Sequence, residues 1–349
     1  MNLWKQLGRV PRKRERKSFL KHVGFDGKRF SNPYGLKLRI SKSAILRGGA
    51  KLLFKHPPKA PLRISTVKTD LQALHPSAGV IVVWLGHSSL FLKTSRTTLM
   101  VDPVLSPSAS PFPGGVPAFP GTVLYSPEEI PDLDLLVITH DHYDHLDAET
   151  VCALAPRVRR FVVPLGVGAH LRYWGIPPGK IIELGWGDCL EENGVRLVAT
   201  PAVHMAGRHI LTGRTLWVSY VLSLEGRQLF IGGDGGYSRH FKEIGLQYGP
   251  FDLAFIENGQ YNSGWPLNHL FPEQTYQAAK DLRAQMLFPV HWGKFCLSTH
   301  AWNAPLQRLL ALANEIPVTV PRIGEPYKIG SEPMTEPWWM EAETHPKAN

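Results

Sequence analysis

Nine consecutive residues, THDHYDHLD from Thr139 to Asp147, combine three histidines and three aspartates directly after the apolar run LDLLVI. An almost wholly apolar run of this length is typical of a strand buried on both faces. Burying so many ionisable groups together without an ion would be costly. A chain that turns sharply at a strand end can direct nearby side chains to one point. We therefore predict that this segment binds metal through His140, His142, Asp144 and His145.

Three more residues of metal-binding type follow apolar runs elsewhere in the chain. They are His204 in TPAVHMAGR, Asp234 in FIGGDGGY and His291 in FPVHWGKF. Zinc accepts imidazole and carboxylate ligands where thiolates are absent, and structural zinc sites are more often closed and rich in sulfur. The sequence therefore predicts a catalytic site with two metal ions, built from several strand ends. Asp141 and Asp147 are expected to be loop and cap residues. His56, His75, His170 and His240 are not expected to bind metal.

The order of apolar runs and helical patterns predicts an α/β sandwich, with helices on the outer faces and strand ends that meet at one rim. Three strands come first, and strands then alternate with helices. Predicted strands are 80–86, 89–94, 97–103, 134–139, 159–164, 180–185, 195–202, 215–226, 227–233, 252–257 and 285–290; predicted helices are 147–156, 166–175, 272–284 and 302–314. The proline-rich segment 107–121 is expected to line a site, with Phe112 and Phe119 available to contact acyl chains.

Positive charge is concentrated in the first 63 residues. They hold 18 Lys or Arg and two acidic residues, whereas the other 286 residues hold 21 Lys or Arg and 27 Asp or Glu. Such a basic arm can contact anionic lipid or nucleic acid, or can be a solvated tail. The acidic body makes nucleic acid the less expected partner. Three distant cysteines and the lack of a signal-like or membrane-spanning apolar run predict a cytoplasmic protein, with the inner membrane face as an option.

Six segments together resemble a known family. WLGHSSLFL, DPVLSPSASP, HDHYDHLD, PAVHMAGR, GGDGGY and PVHWGKF occur in the order found in metallo-β-lactamase-fold hydrolases, in the branch that contains N-acyl-phosphatidylethanolamine-hydrolysing phospholipase D. FDGKRFSNP, from Phe25 to Pro33, is similar to that branch as well. The resemblance implies a four-layer αβ/βα sandwich. The predicted organisation is a basic arm and linker over 1–63, a hydrolase domain over 64–330 and a tail over 331–349.

The resemblance also implies a role for each site residue. His140, His142 and His204 would hold one zinc, Asp144, His145 and His291 the second, and Asp234 would bridge them; Fe or Mn could replace zinc. His269 would lie near the scissile group as a catalytic acid, although it could instead be a polar cap before the helix at Pro272. His87 and Asp102 would orient ligands or substrate. No substrate-binding residue is predicted.

The function implied is that of a dinuclear zinc hydrolase with a metal-bridging hydroxide, held by Asp144 or Asp234. Its expected activity is that of a phospholipase D-type phosphodiesterase on N-acylated phospholipids or similar amphiphiles. One alternative is lactone or ester hydrolysis at the same site. Another is a non-catalytic metal protein attached to membrane or nucleic acid through its arm. The oligomeric state is left open, with a homodimer as one option.

Overall fold

The computed structural model describes residues 1–38, 61–112, 114–208 and 212–343. Two sheets form its centre. The first has the strand order β13-β1-β2-β3-β4-β5-β6, and the second has the order β12-β11-β10-β9-β8-β7. The strands are β1 (Ile81–Trp84), β2 (Leu90–Lys93), β3 (Thr98–Val101), β4 (Leu133–Val137), β5 (Val158–Pro164), β6 (Ile181–Leu184), β7 (Cys189–Glu192), β8 (Val195–Thr200), β9 (Ser219–Leu224), β10 (Arg227–Ile231), β11 (Leu253–Glu257), β12 (Leu287–Val290) and β13 (Pro326–Lys328).

Both sheets change from antiparallel to parallel pairing along their width. In the first sheet, β1, β2 and β3 form an antiparallel meander, and β3 to β6 run parallel. In the second, β7 to β10 are antiparallel, and β10, β11 and β12 run parallel. Because parallel neighbours end at the same edge of a sheet, the residues that follow β3, β4, β10, β11 and β12 lie at one rim.

Helices cover the outer face of each sheet. The helices are α1 (Leu3–Leu7), α2 (Lys13–Arg16), α3 (Ala148–Leu154), α4 (Gly168–Tyr173), α5 (His240–Tyr248), α6 (Pro272–Asp281) and α7 (Ala304–Leu312). Val151 of α3 and Leu171 of α4 pack on the first sheet, while α6 contacts β11 in the second. Asp147 caps α3 by accepting bonds from the amides of Glu149 and Thr150, as predicted. The predicted α/β four-layer sandwich is confirmed.

Strand alternation divides the core into two parts. Val82 and Trp84 point between the sheets, whereas Val83 and Leu85 point to the helices outside. All four are at most 2% exposed, so β1 is buried on both faces. The continuous apolar runs of the sequence thus correspond to strands covered on both sides.

The structure adds elements that the sequence did not predict. They are the edge strands β7 and β13, the helix α5, and the short helices of the first 21 residues. Among the described residues, no helix combines the length and apolar character needed to cross a membrane.

The described parts of the predicted arm and tail pack on the body. Phe19 and Phe30 are about 5% exposed or less, and Trp338 is buried against Trp84 and Trp292. The rest of the arm, 39–60, and the residues after 343 lie outside the described residues. The boundaries at 63 and 330 stay predictions.

Candidate metal centre

The rim brings together all seven residues predicted as ligands. His140, His142, Asp144 and His145 follow β4, His204 follows β8, Asp234 follows β10 and His291 follows β12. Their candidate ligand atoms fall into groups whose members lie within 4.8 Å of one another: His140, His142, His204 and Asp234 form one group, and Asp144, His145 and His291 form another together with His87. Side chains separated by up to 151 residues in the chain therefore converge on a small volume.

Ring nitrogens point at each other in the first group. His140 Nε2 lies 2.9 Å from His142 Nδ1, and His204 Nε2 lies 3.3 Å from the same atom. Asp234 Oδ2 lies 3.8 Å from both His140 Nε2 and His204 Nε2. Three imidazoles and one carboxylate oxygen are a donor set suited to zinc.

Asp234 also reaches the second group. Its Oδ2 lies 3.2 Å from His145 Nε2, and its Oδ1 lies 3.1 Å from His291 Nδ1. Asp144 Oδ2 lies 2.8 Å from His87 Nε2 and 3.5 Å from His145 Nε2. The carboxylate of Asp234 thus lies between the two groups, where a bridging ligand would be needed. His87, predicted to orient ligands, lies among the candidate ligand atoms themselves.

Hydrogen bonds on the far side of the rings of His140, His145 and His204 fix the orientation of those rings. Asp102 Oδ2 lies 2.7 Å from His145 Nδ1 and accepts a 2.6 Å bond from the Thr139 hydroxyl. That hydroxyl lies 3.0 Å from His140 Nδ1, and the backbone oxygen of Asn268 lies 3.0 Å from His204 Nδ1. Carboxylate, hydroxyl and carbonyl partners of this kind direct the opposite ring nitrogen towards an ion.

Three residues of the site have left-handed backbone conformations. The φ angles of His87, Asp102 and His291 are 54°, 43° and 67°. Such angles are uncommon outside glycine and persist where the surroundings enforce them. A reciprocal pair of backbone bonds holds two of these residues, since His87 N donates to Trp292 O and His291 N donates to His87 O. This bridge links the first strands of one sheet to β12 of the other.

Burial and neighbouring charge keep most of the imidazoles neutral. Burial and the surrounding histidines hold the pKa values of His140, His204 and His291 well below the usual range. Burial also lowers the pKa of His145, but the nearby carboxylates, Asp234 first, raise it well above the usual range. Burial raises the pKa of Asp234 to about 6. Neutral imidazoles are the form that binds metal.

Buried polar atoms without hydrogen-bond partners also indicate that these side chains are suited to hold metal ions. Four buried polar atoms of the site make no contact with hydrogen-bond geometry among the described residues, although two of them have polar atoms close by: His87 Nδ1, His145 Nε2, His291 Nε2 and Asp234 Oδ1. Buried polar atoms normally have partners, so a cluster of orphaned atoms requires an explanation. Metal coordination would satisfy His145 Nε2 and Asp234 Oδ1, which lie within the clusters.

A carboxylate that the sequence did not single out supports His269. Glu257 ends β11, is 1% exposed, and its Oε2 lies 2.7 Å from His269 Nδ1. The other oxygen accepts a 2.7 Å bond from the Gly235 amide. Asp234, Glu257, His269 and His291 form a third group of candidate ligand atoms within 4.8 Å. The sequence offered one signal for Glu257: it is an acidic residue at the end of an apolar strand, and the strands before and after it are also followed by predicted ligands.

Asp141, which was expected to be a loop residue, follows β4 outside any helix or strand. Its side chain is buried under the candidate metal-binding segment. Its carboxylate accepts bonds from Gly207 N and the Thr215 hydroxyl and lies 3.1 Å from His170 Nε2. Arg208, 4% exposed, donates to the backbone oxygens of Asp141 and Leu146. These contacts fix the turn from His140 to His145 from below.

Of the two phenylalanines expected to contact acyl chains, only Phe112 is available. Phe112 is 59% exposed, whereas Phe119 is 6% exposed and packs edge-on against Trp302. Phe119 is therefore a core residue.

Comparison with known proteins places the chain in a family. A beta-lactamase superfamily domain matches residues 97–292. An uncharacterized protein of Mycobacterium tuberculosis is 40% identical over 266 residues, covering 74% of this chain and 71% of that protein. N-acyl-phosphatidylethanolamine-hydrolyzing phospholipase D 1 of Caenorhabditis elegans is 32% identical over 302 residues, covering 81% of each chain. Igni18, a metallo hydrolase from Ignicoccus hospitalis, superposes with a TM-score of 0.53 at 21% identity, over 72% of this chain and 99% of Igni18.

Proposed function

Because the chain belongs to the beta-lactamase superfamily of metal-dependent hydrolases, we propose that it is a dinuclear zinc phosphodiesterase that cleaves N-acylated phospholipids or similar amphiphiles. The observation that carries the proposal is the 32% identity to the C. elegans phospholipase D over 81% of both chains. The convergence of the seven donors, with Asp234 between the two groups, supports the two-metal part of it.

Hydrolysis of this kind breaks the bond between phosphorus and the oxygen of the N-acylethanolamine, and adds water at phosphorus. Two divalent ions held by the seven donors would lower the pKa of water and act as Lewis acids towards a phosphoryl oxygen. The leaving oxygen requires a proton. Glu257 engages His269 Nδ1, which leaves Nε2 as the ring nitrogen open to a substrate. His269 would pass the proton on Nε2 to the leaving oxygen while its Nδ1 takes up the proton of Glu257, whose pKa is raised well above its usual range by burial.

The test is a comparison of three substrates with the zinc-loaded protein: an N-acylated phosphatidylethanolamine, bis-p-nitrophenyl phosphate and an acyl-lactone. We expect phosphatidic acid and an N-acylethanolamine from the first, identified by mass spectrometry. Asp234→Asn serves as the inactive control. Cleavage of the lactone alone would replace the proposal with an ester hydrolase, and no turnover of any substrate by a metal-loaded protein would favour a binding role.

A further inference from the structure

The N-terminal segment combines exposed aliphatic side chains with exposed cations that form no ion pair. Leu20 and Val23 are 61% and 84% exposed. Seven exposed cations precede or follow these two residues in the chain, and among the described residues none of them forms an ion pair: Arg12, Lys13, Arg14, Lys17, Lys21, Lys28 and Arg29. We call these nine residues the Leu20 surface. Two acidic residues lie close to it. Asp26 accepts bonds from the backbone amides of Lys28 and Arg29, and Glu15 accepts one from the backbone amide of Arg12 while it pairs with Arg9 and Arg172.

This surface is held firmly on the body. Phe19, Phe25 and Phe30 pack together beneath it with ring centroids 4.7 to 5.7 Å apart. Phe30 N donates a 2.8 Å bond to the backbone oxygen of Gly213. Because Phe19 and Phe30 are buried beneath this surface, the exposure of Leu20 and Val23 does not come from an unfolded segment; Trp4, which is 75% exposed, lies outside the nine residues.

Cations also accumulate where this segment meets the body. Arg16 Nη1 donates to Lys28 O, which places its guanidinium beside Arg29. The Arg29 side chain lies against Gly213, the neighbour of Arg214. Arg16 and Arg29 both contribute to lowering the pKa of Arg214, after burial. Arg16 Nε and Arg214 Nε have no hydrogen-bond partner among the described residues. Like charges gathered without a counterion indicate an anionic partner.

The segment follows the same rim as the metal centre. Gly24 lies against Trp186, which comes just after β6. Asn32 Oδ1 accepts a 2.8 Å bond from the amide of His204, a predicted ligand. The segment that carries the Leu20 surface therefore also contacts the backbone of a predicted ligand.

We propose that the Leu20 surface docks this protein on an anionic lipid bilayer, with Leu20 and Val23 entering the acyl boundary and the cations contacting lipid phosphates. Aliphatic tips among Lys and Arg are suited to an interface between headgroups and hydrocarbon. Single-stranded nucleic acid would instead favour exposed aromatic side chains for base stacking, and none of the nine residues of the Leu20 surface is aromatic. This docking is a property of the surface and does not depend on which bond the enzyme cleaves.

The test is flotation of the full chain with vesicles of phosphatidylcholine alone or with about 30% phosphatidylglycerol. At about 1 kcal/mol for each cation near an anionic membrane, Lys17→Gln/Lys21→Gln/Arg29→Gln should weaken binding to the anionic vesicles by roughly a hundredfold. Leu20→Ser/Val23→Ser should also weaken it while leaving its salt dependence unchanged. The matched control, Arg96→Gln/Arg283→Gln/Lys328→Gln, removes the same charge from exposed sites and should bind as the parent does.

If the control triple variant weakened binding to anionic vesicles equally, the effect would depend only on net charge, and the proposal would be overturned. So would equal binding to neutral vesicles, or tighter binding to a short oligonucleotide that Leu20→Ser/Val23→Ser leaves unchanged. Circular dichroism and metal content of each variant identify any loss of fold. Binding is measured without substrate, so a failed hydrolysis assay leaves this result intact.

Discussion

Glu257 Oε2 lies 2.7 Å from His269 Nδ1, while His269 Nδ1 lies 4.0 Å from Asp234 Oδ2. The same ring nitrogen therefore contacts the buried carboxyl group of Glu257 and lies next to Asp234, the donor between the two groups of candidate ligands. The two backbone amides that bind Glu257 Oε1 prevent its rotation. In this arrangement Glu257 positions His269, and variants of each residue can separate this positioning role from the role of His269 itself.

Glu257→Gln should lower kcat by about 10-fold to 100-fold, as loss of an orienting partner usually does. His269→Ala should lower it by about 10²-fold to 10⁴-fold, the usual contribution of a general acid. Because Glu257 acts through His269, the double variant should be no slower than His269→Ala alone. Kinetics of the three variants at equal metal content measure this. Independent, multiplying losses would show that Glu257 has another role.

Metal analysis should find about two ions per chain, because the proposed reaction uses a two-metal site. Removal with a chelator should abolish hydrolysis, and added zinc should restore it. His142→Ala and Asp234→Asn should each lose metal and activity while the circular dichroism spectrum stays unchanged. His75→Ala, at an exposed histidine away from the rim, is the matched control. Full metal content in both site variants would contradict the ligand assignment.

Asp102→Asn should weaken metal affinity by about 10-fold to 100-fold, the range typical for a lost carboxylate partner of a ligating histidine. The amide can still accept the bond from Thr139 N but no longer supplies a charge to His145 Nδ1. Chelator competition gives the affinity directly, without an activity assay. Asp134→Asn, at the opposite end of β4, is the control and should leave affinity unchanged. If Asp102→Asn bound metal as tightly as Asp134→Asn, Asp102 would have no role in supporting the metal centre.

The fold was predictable because its strands are continuous apolar runs with clear breaks. The strands that were missed do not have this pattern. Cys189–Glu192 is a half-exposed edge strand with two glutamates, and Pro326–Lys328 has three residues, of which only Tyr327 is buried. Edge strands obtain their pairing from a neighbour, here β8 and β1, rather than from an apolar pattern of their own.

The candidate ligands were predictable because each is a residue of metal-binding type directly after a buried strand. Glu257 gave a partial signal, as an acidic residue at the end of an apolar strand, but its pairing with His269 could not be predicted. The importance of Arg208 could not be predicted either, since it arises from contacts with residues distant in the chain. Arg208 is a single cation in a loop sequence, and only the fold shows it binding the backbone of Asp141 and Leu146. The contact of Asn32 with His204 likewise could not be read from composition, which indicated only that the arm is basic.

The buried His240 should make stability depend on pH. Burial lowers its pKa to about 3, whereas an exposed histidine in the unfolded chain titrates near about 6.5. Between those values the unfolded state binds the extra proton, so this group's contribution to the free energy of unfolding is lost as pH falls from about 6.5 to about 3. The loss at about pH 5, relative to about pH 8, is on the order of 2 kcal/mol.

His240→Leu should therefore show a smaller fall in the free energy of unfolding between about pH 8 and about pH 5 than the parent, by on the order of 2 kcal/mol. Urea titrations followed by circular dichroism at both pH values measure the difference. His75→Leu, at an exposed position, should keep the parental pH dependence. Any constant loss from removing the contact of His240 Nδ1 with the Ser238 hydroxyl cancels, because only the change with pH is compared. An identical fall in the parent and His240→Leu would mean that His240 does not carry this dependence.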